Sequence, residues 1–180
     1  MKIVAIVGMP GSGKSEVTRE FEKLGWWRVR FGDITDEEVT RRGLILNEEN
    51  ERLVRESLRE KYGMSAYAIL NIPKIDAAFK KSNVVLDGLY SWEEFQVLKS
   101  VYGDVLKLIA VWASPETRYK RLATRKVRPL TTKEAETRDK AEIENINKGG
   151  PIAMADFTLV NESSIDNLQR ETRKVIEKLK

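Results

Sequence analysis

The stretch "IVAIVGMPGSGKSEVTREF", residues 3–21, decides the fold of this chain. It begins as a continuous apolar run rich in β-branched residues, which is typical of a strand buried on both faces of a parallel sheet. From Lys14 onward, apolar residues recur at the spacing of one helix face, and Gly25 predicts where that helix ends. Those apolar residues are Val17, Phe21 and Leu24. The stretch therefore predicts a buried strand, a glycine-rich loop and a helix.

The loop in this stretch carries the motif G-x-x-x-x-G-K-[ST], formed by Gly8, Gly13, Lys14 and Ser15. Glycines let the backbone turn its N–H groups around phosphate oxygens, and the helix N-terminus adds positive potential there. We expect Lys14 to reach the β- and γ-phosphates of a nucleoside triphosphate and the Ser15 hydroxyl to bind Mg²⁺. A glycine-rich turn with a chance lysine is the alternative, but it does not explain the complete motif between a strand and a helix. The residues predicted to bind the nucleotide here are Gly8, Gly11, Ser12, Gly13, Lys14 and Ser15.

The composition limits the chemistry that the chain can perform. Its 180 residues suit one domain, so we predict a single domain over 1–180. It contains no cysteine, which excludes disulfides and thiolate metal sites, and no histidine, which removes the commonest general base.

The start resembles no signal peptide and the sequence has no 18-residue apolar stretch, so we expect a cytoplasmic protein without a membrane partner. The sequence makes no prediction of the oligomeric state.

The net charge of +4 is concentrated in one segment of the chain. Residues 114–148 hold ten Lys or Arg and six Asp or Glu, an excess equal to the whole net charge. A protein that binds duplex backbone more often spreads its positive charge along a stripe. We therefore do not expect a nucleic-acid partner.

Strands and helices alternate along the rest of the chain. Further strands are predicted over 26–31, 83–88, 105–113 and 155–161. Further helices are predicted over 33–43, 47–63, 65–82, 91–103, 114–127, 131–149 and 164–179, and Pro73 is expected to interrupt the third of them. This alternation is typical of an α/β fold with a parallel sheet and right-handed crossovers.

Two aspartates follow predicted strands. Asp87 ends the strand "VVLD", where a carboxylate on the magnesium side of a nucleotide site is expected, although aspartate is also ordinary turn chemistry there. Asp33 follows the second strand in "FGD". Its carboxylate can orient an attacking hydroxyl or phosphate, or it can cap the next helix, and both roles are compatible.

Four arginines recur at intervals of three, four and three in the most basic segment. They are Arg118, Arg121, Arg125 and Arg128. On one helix they would share a face, and no acidic residue lies three or four positions from any of them. An anion such as the transferred phosphate would offset their repulsion, whereas the alternative is a solvated charged face. Arg138 on the next predicted helix is a further candidate.

The sequence resembles the P-loop kinases of nucleotides and coenzyme A precursors, chiefly dephospho-CoA kinase and adenylate kinase. In particular it looks like a largely archaeal group of predicted nucleotide kinases related to both. The resemblance rests on "GMPGSGKS", on "FGD", on "LDG" followed by "SPETRYKRLATR", and on the closing "ADFTLVNESSIDNLQRETRKVIEKL". These segments extend over nearly the whole chain.

The resemblance implies a three-layer P-loop NTPase fold, a kinase activity, and ATP and Mg²⁺ as donor and metal. It implies a helical acceptor-binding region over 34–82 and a short lid over 115–148. It gives Asp33 an acceptor-side role, turns Arg121 and Arg125 toward phosphates, and places the loop near Asn161 beside the adenine. The acceptor would be a small molecule of the nucleoside monophosphate or dephospho-CoA class.

The sequence also departs from these kinases on the acceptor side. Tyr90 stands where adenylate kinase has an arginine that grips the acceptor, and the His-Pro motif of dephospho-CoA kinase is absent. Arg41, Arg42 and Arg59 can replace the missing arginine, or they can be surface partners of nearby glutamates. The alternative function is a P-loop ATPase with a regulatory or nucleic-acid-associated role and no small-molecule acceptor.

Overall fold

The computed structural model describes residues 1–126 and 128–179 and contains a five-stranded sheet. The strands are β1 (Ile3–Val7), β2 (Trp27–Arg30), β3 (Val84–Asp87), β4 (Leu106–Trp112) and β5 (Phe157–Val160). They are ordered β2-β3-β1-β4-β5, and every neighbouring pair is parallel. The central position of β1 explains its continuous apolar sequence, because all five of its residues are buried. The predicted parallel α/β fold is confirmed.

Nine α-helices connect and cover these strands in the described part of the chain. The first five are α1 (Lys14–Lys23), α2 (Asp33–Arg41), α3 (Glu48–Tyr62), α4 (Ala66–Phe79) and α5 (Trp92–Tyr102). The others are α6 (Pro115–Thr124), α7 (Thr132–Glu144), α8 (Gly149–Ala153) and α9 (Ile165–Lys178), and a short 3₁₀ turn spans Gly103–Val105. Within residues 1–126 and 128–179, no helix is both long enough and apolar enough to span a bilayer.

Two hydrophobic cores lie on opposite faces of the sheet. Alternate residues of β1 supply them, since successive side chains of a strand point to opposite faces. Ile3 and Ala5 belong to the core that α2, α3, α4 and α5 cover. Val4 and Ile6 belong to the core that α1 and α9 cover. The three layers follow from this alternation, and α2 to α4 share one core with the sheet.

Helix α4 is continuous through Pro73, so the predicted interruption is wrong. An interior proline removes one backbone hydrogen bond and costs about 3 kcal/mol in an exposed helix. Here α4 buries one face in the core, including Tyr67, Asn71 and Ile75. This burial offsets the cost of the proline.

The basic segment is less helical than its sequence predicts. Helix α6 ends at Thr124 instead of residue 127, because Arg125 has an extended backbone with φ −67° and ψ 145°. The chain then turns back, and the Leu130 N–H donates to the Leu122 carbonyl at 3.1 Å. Val127, the last residue of the predicted helix, lies outside the described residues. The helix predicted over 131–149 likewise ends early, at Glu144 of α7, and the short α8 begins only at Gly149.

Candidate functional site

The phosphate-binding loop joins the carboxyl end of β1 to the start of α1, as the motif requires. Gly13 precedes α1 in a left-handed conformation with φ 104°. Within residues 1–126 and 128–179, the backbone N–H groups of Gly11, Gly13, Lys14 and Ser15 do not donate to a protein acceptor. Such N–H groups at a helix N-terminus form a site for a bound anion.

Two glycines of the loop leave no room for a side chain. A Cβ atom on Gly8, whose φ is +148°, would lie 2.4 Å from the carbonyl oxygen of Val111 in β4. A Cβ atom on Gly13 would lie 2.3 Å from the side-chain nitrogen of Asn161, which follows β5. The loop is therefore packed closely against the ends of two strands, and this contact fixes its path.

The Lys14 ammonium group lies within the curve of the loop. It donates to the carbonyl oxygens of Gly8 at 2.9 Å and Met9 at 3.1 Å. Burial, together with the positive charge of Lys148, lowers the pKa of Lys14 to about 7. An anionic phosphate beside this nitrogen would restore the charged form. The structure thus places Lys14 where the motif predicts it, with an electrostatic environment that favours an anion.

Ser15 and Asp87 lie at the same edge of the sheet. Ser15 is in the first turn of α1, and Asp87 ends β3, where it is in register with Ile6 of the neighbouring β1. The Asp87 carboxylate accepts a hydrogen bond from Arg28. Among the described residues, no group of three acidic side chains that could hold a metal is present. A serine hydroxyl and one carboxylate still fit Mg²⁺, because this ion takes much of its coordination from phosphates and water.

Arg121 and Arg125 line an open cavity of about 600 Å³ beside the loop, together with Lys14, Ser15 and Asn161. One Arg121 nitrogen donates to the Asn161 carbonyl oxygen at 3.0 Å. Its other terminal nitrogen is buried and has no partner in the described part of the chain. Cations from α6 and its end therefore face the same space as the phosphate-binding loop.

The prediction that the four arginines share one helix face is wrong, and two of them, Arg118 and Arg128, form ion pairs within the protein. Arg118 is buried, and its guanidinium forms two hydrogen bonds with the Asp139 carboxylate of α7, at 2.9 and 2.6 Å. Arg128 pairs with Glu48 and Glu51 of α3, at 2.9 and 3.2 Å. These carboxylates are distant in sequence, so the spacing rule for helix neighbours did not reveal them. The early end of α6 also removes Arg125 and Arg128 from any shared helix face.

Arg138, the further candidate, donates to Glu142 within α7 at 3.1 Å. Its guanidinium therefore has a carboxylate partner on its own helix. The structure thus shows Arg138 in an ion pair with Glu142, whereas the sequence suggested that Arg138 contacts a phosphate.

Asp33 is the first residue of α2 and does not cap it. Gly32 occupies the capping position, where no side-chain hydrogen bond is made, so the capping role considered for Asp33 is wrong. The Asp33 carboxylate accepts from Arg30 at 2.8 Å. It lines a second cavity of about 360 Å³ beside β2, with Arg28 and Lys74. The structure does not bring Asp33 into the cavity of Lys14, and its contact with an acceptor stays a prediction.

Asn161 holds the phosphate-binding loop in place. Its side-chain nitrogen donates to the Ser12 carbonyl oxygen at 2.8 Å, and its backbone N–H donates to Trp112 at 2.7 Å. It also lines the cavity beside Lys14. The predicted contact with an adenine is thus compatible with its position, while its amide group is already engaged with the loop.

Arg41 and Arg42 are surface partners of one carboxylate, because both donate to Glu38. Arg59 differs from them: its guanidinium lies over the Tyr67 ring, 5.8 Å from the centroid. Its Nε atom is buried and lacks a partner within the described residues. Of the three arginines considered for the acceptor side, Arg59 is the one with a buried nitrogen that lacks a partner among the described residues.

Several buried polar groups near the loop were missed by sequence reasoning. Lys148 is only 2% exposed, and burial raises the pKa of Glu94 to about 7 and that of Tyr90 to about 12. In the sequence, Lys148 lies at the end of a charged segment and looks like a solvated surface residue. Only the packing of α8 against the rest of the molecule shows otherwise.

Comparison with known proteins shows which family and fold this chain has. The sequence matches the AAA domain family over residues 4–147. The UPF0200 protein of Thermococcus kodakarensis is 39% identical over 181 residues, and the match covers 98% of this chain and 97% of the relative. Both matches cover most of the chain.

Two solved kinases share the fold. Dephospho-CoA kinase from Campylobacter jejuni superposes with a TM-score of 0.59 at 15% identity and covers 99% of this chain and 97% of its own. Shikimate kinase from Bacteroides thetaiotaomicron gives 0.62 at 14% identity, with 98% of each chain covered. These identities establish the fold alone, and they confirm the predicted three-layer P-loop architecture. The chain belongs to the UPF0200 family, a P-loop nucleotide kinase-like family, and it contains an AAA domain over residues 4–147.

Proposed function

We propose that this protein is a kinase that transfers the γ-phosphoryl group of Mg-ATP to a small, nucleotide-like acceptor. The observation that carries the proposal is the cavity beside the phosphate-binding loop, which Lys14 lines together with Arg121 and Arg125. Phosphoryl transfer depends mainly on positioning and on neutralising charge on the phosphoryl oxygens. Cations from two separate elements that face one cavity are suited to this task, and no histidine is needed.

Each residue of the site has a distinct role in this proposal. The loop N–H groups bind the phosphates, Lys14 contacts the β- and γ-phosphates, and the two arginines neutralise the transferred group. Ser15 and Asp87 would hold Mg²⁺, which supplies further charge neutralisation when bound. Asp33 would orient the acceptor. Asn161 keeps the loop in its binding conformation through its bond to Ser12.

A phosphoryl-transfer screen tests this function directly. The protein is incubated with Mg-ATP labelled in the γ-phosphate and with nucleoside monophosphates, dephospho-CoA or nucleosides as acceptors. We expect at least one labelled product, and we expect Lys14→Met to lower its rate at least about 100-fold, since a charge aimed at the transferred group is lost. Lys107→Met is the matched control, because Lys107 pairs with Asp156 outside the cavity.

Two results would contradict the proposal. One is the absence of any labelled acceptor product despite ATP binding. The other is ATP turnover that increases with single- or double-stranded nucleic acid while small acceptors have no effect. The second result would instead support the nucleic-acid-associated ATPase.

A further inference from the structure

The side chain of Arg125, which lines the cavity beside the phosphate-binding loop, is oriented by a backbone carbonyl close to it in the chain. Its Nε atom donates to the carbonyl oxygen of Arg128. Within residues 1–126 and 128–179, this is the only hydrogen bond of the Arg125 side chain, and no carboxylate pairs with it. The direction of the Arg125 guanidinium therefore depends on where the Arg128 carbonyl lies.

The backbone of Arg128 has a conformation that residues with a side chain rarely adopt. Its φ is +52°, in the left-handed region that favours glycine. Other residues keep this conformation where surrounding contacts enforce it, and such residues are frequent at ligand-binding sites. A glycine would adopt the same turn without strain, so the arginine indicates that its side chain has a use here.

The Arg128 side chain is held by the first turn of α3. Its two terminal nitrogens donate to Glu48 at 2.9 Å and to Glu51 at 3.2 Å. Both carboxylates also accept a hydrogen bond from Arg55 of the same helix. An exposed ion pair contributes little by itself, whereas several charges joined in a network can hold a side chain in one geometry. These four residues form such a network.

Helix α3 gives the network a fixed position. Val54 and Leu58 of this helix are buried in the core that it shares with the sheet. Its N-terminus is capped by Asn47, whose side chain accepts from the Asn50 N–H at 2.9 Å, and the acidic first turn complements the helix dipole. The Arg128 carbonyl is thereby connected, through the arginine side chain and α3, to the core of the protein.

We infer that Arg128 is a positioning residue for phosphoryl transfer. Its contacts with Glu48 and Glu51 hold its carbonyl oxygen in the place from which it directs the Arg125 guanidinium toward the phosphates. This inference deepens the proposed kinase function and rests on it. The competing explanation is an ion-pair network that only fastens the segment after α6 to α3 and has no effect on Arg125.

The test breaks the network from each of its two sides. Arg128→Ala removes the cation, and the double variant Glu48→Gln/Glu51→Gln removes the carboxylates of α3. Steady-state kinetics are measured with Mg-ATP and the acceptor that the phosphoryl-transfer screen identifies. We expect each variant to lower kcat about tenfold or more, with KM for Mg-ATP within about twofold of wild type, because a displaced Arg125 is missed chiefly in the transition state. The triple variant should be no slower than the slower of the two, because both remove the same contact.

Lys120→Ala is the matched control, because Lys120 is an exposed cation of α6 whose ion pair with Glu116 stays within that helix. Its kcat should remain within about twofold of wild type. An unchanged kcat in Arg128→Ala would overturn the inference and favour the purely structural network, and so would losses that multiply in the triple variant. The proposed kinase function would still stand in both cases, since the wild type forms product. Absence of product with the wild type would overturn both.

Discussion

The buried ion pair between α6 and α7 provides the sharpest test of how this fold is held together. Asp139 accepts two hydrogen bonds from Arg118, at 2.9 and 2.6 Å, and a third from the Tyr119 hydroxyl at 3.1 Å. Arg118 also donates to the carbonyl oxygens of Pro10, in the phosphate-binding loop, and Ala113, after β4, both at 3.1 Å. The pair therefore connects the basic segment to the loop that would bind ATP.

Asp139→Ala should lower the free energy of unfolding by about 3–5 kcal/mol. Breaking a buried ion pair at one partner leaves an uncompensated charge, and Arg118 is only 4% exposed. The two bonds from Arg118 to backbone carbonyls persist in the variant, so we expect a value near the lower limit, about 3 kcal/mol. Lys140→Ala is the matched control on the same helix: Lys140 is 73% exposed, and its change should stay within about 0.5 kcal/mol.

Equilibrium unfolding in guanidinium chloride measures these differences, and a double-mutant cycle separates the pair from its surroundings. Arg118→Met combined with Asp139→Leu replaces both charges by apolar groups and should cost much less than the two single changes together. A loss below about 1 kcal/mol in Asp139→Ala would refute the reasoning. So would a double variant that loses the full sum of the single changes, because the two residues would then act independently.

Two further predictions concern the cavity itself. Arg125→Ala should lower turnover about 100-fold to 1,000-fold, equivalent to roughly 3–4 kcal/mol of barrier, with the free energy of unfolding unchanged. Unaltered turnover, measured against the exposed neighbour Lys126→Ala, would remove Arg125 from the site. Because the pKa of Lys14 is about 7 and a bound phosphate raises it, ATP binding should take up a proton above pH 7, so that affinity falls as the pH rises toward 9. Calorimetry at pH 8 in buffers of different ionisation enthalpy measures this uptake, and its absence would contradict the assignment of Lys14.

Helices, strands and caps that are determined by residues close together in the sequence were predicted correctly. The strand, glycine loop and helix of residues 3–23 follow from neighbouring residues, and so do helix caps. Asn47 and Ser91 each accept from the backbone N–H three residues later, at 2.9 and 3.0 Å, as their sequence context predicts. Pro73 marks the limit of such reasoning: local propensity disfavours it in a helix, but the burial of α4, which a local pattern does not show, decides the outcome.

The part of the candidate site that depends on neighbouring residues was predicted, whereas the part that depends on contacts between distant segments was not. The phosphate-binding loop is encoded in eight consecutive residues, and its close contacts with β4 and β5 are consistent with that motif. The arginines illustrate the opposite case. Arg118 and Arg121 are only three positions apart, yet one is neutralised by Asp139 of α7 and the other faces the cavity. Which arginine faces a ligand depends on carboxylates brought near by the fold.

Tyr90 is an example in which both the local sequence and contacts with distant segments matter. The resemblance to adenylate kinase puts Tyr90 at the position of an acceptor-side arginine, so it predicts that this positive charge is missing here. It does not reveal which residues the fold brings to Tyr90, because Lys148 is separated from Tyr90 by α5, β4, α6 and α7. In the folded chain the Lys148 ammonium group lies over the Tyr90 ring, and Glu142 holds it there. The surroundings of Tyr90 are thus set by packing between segments that are distant in sequence, which a local sequence pattern does not show.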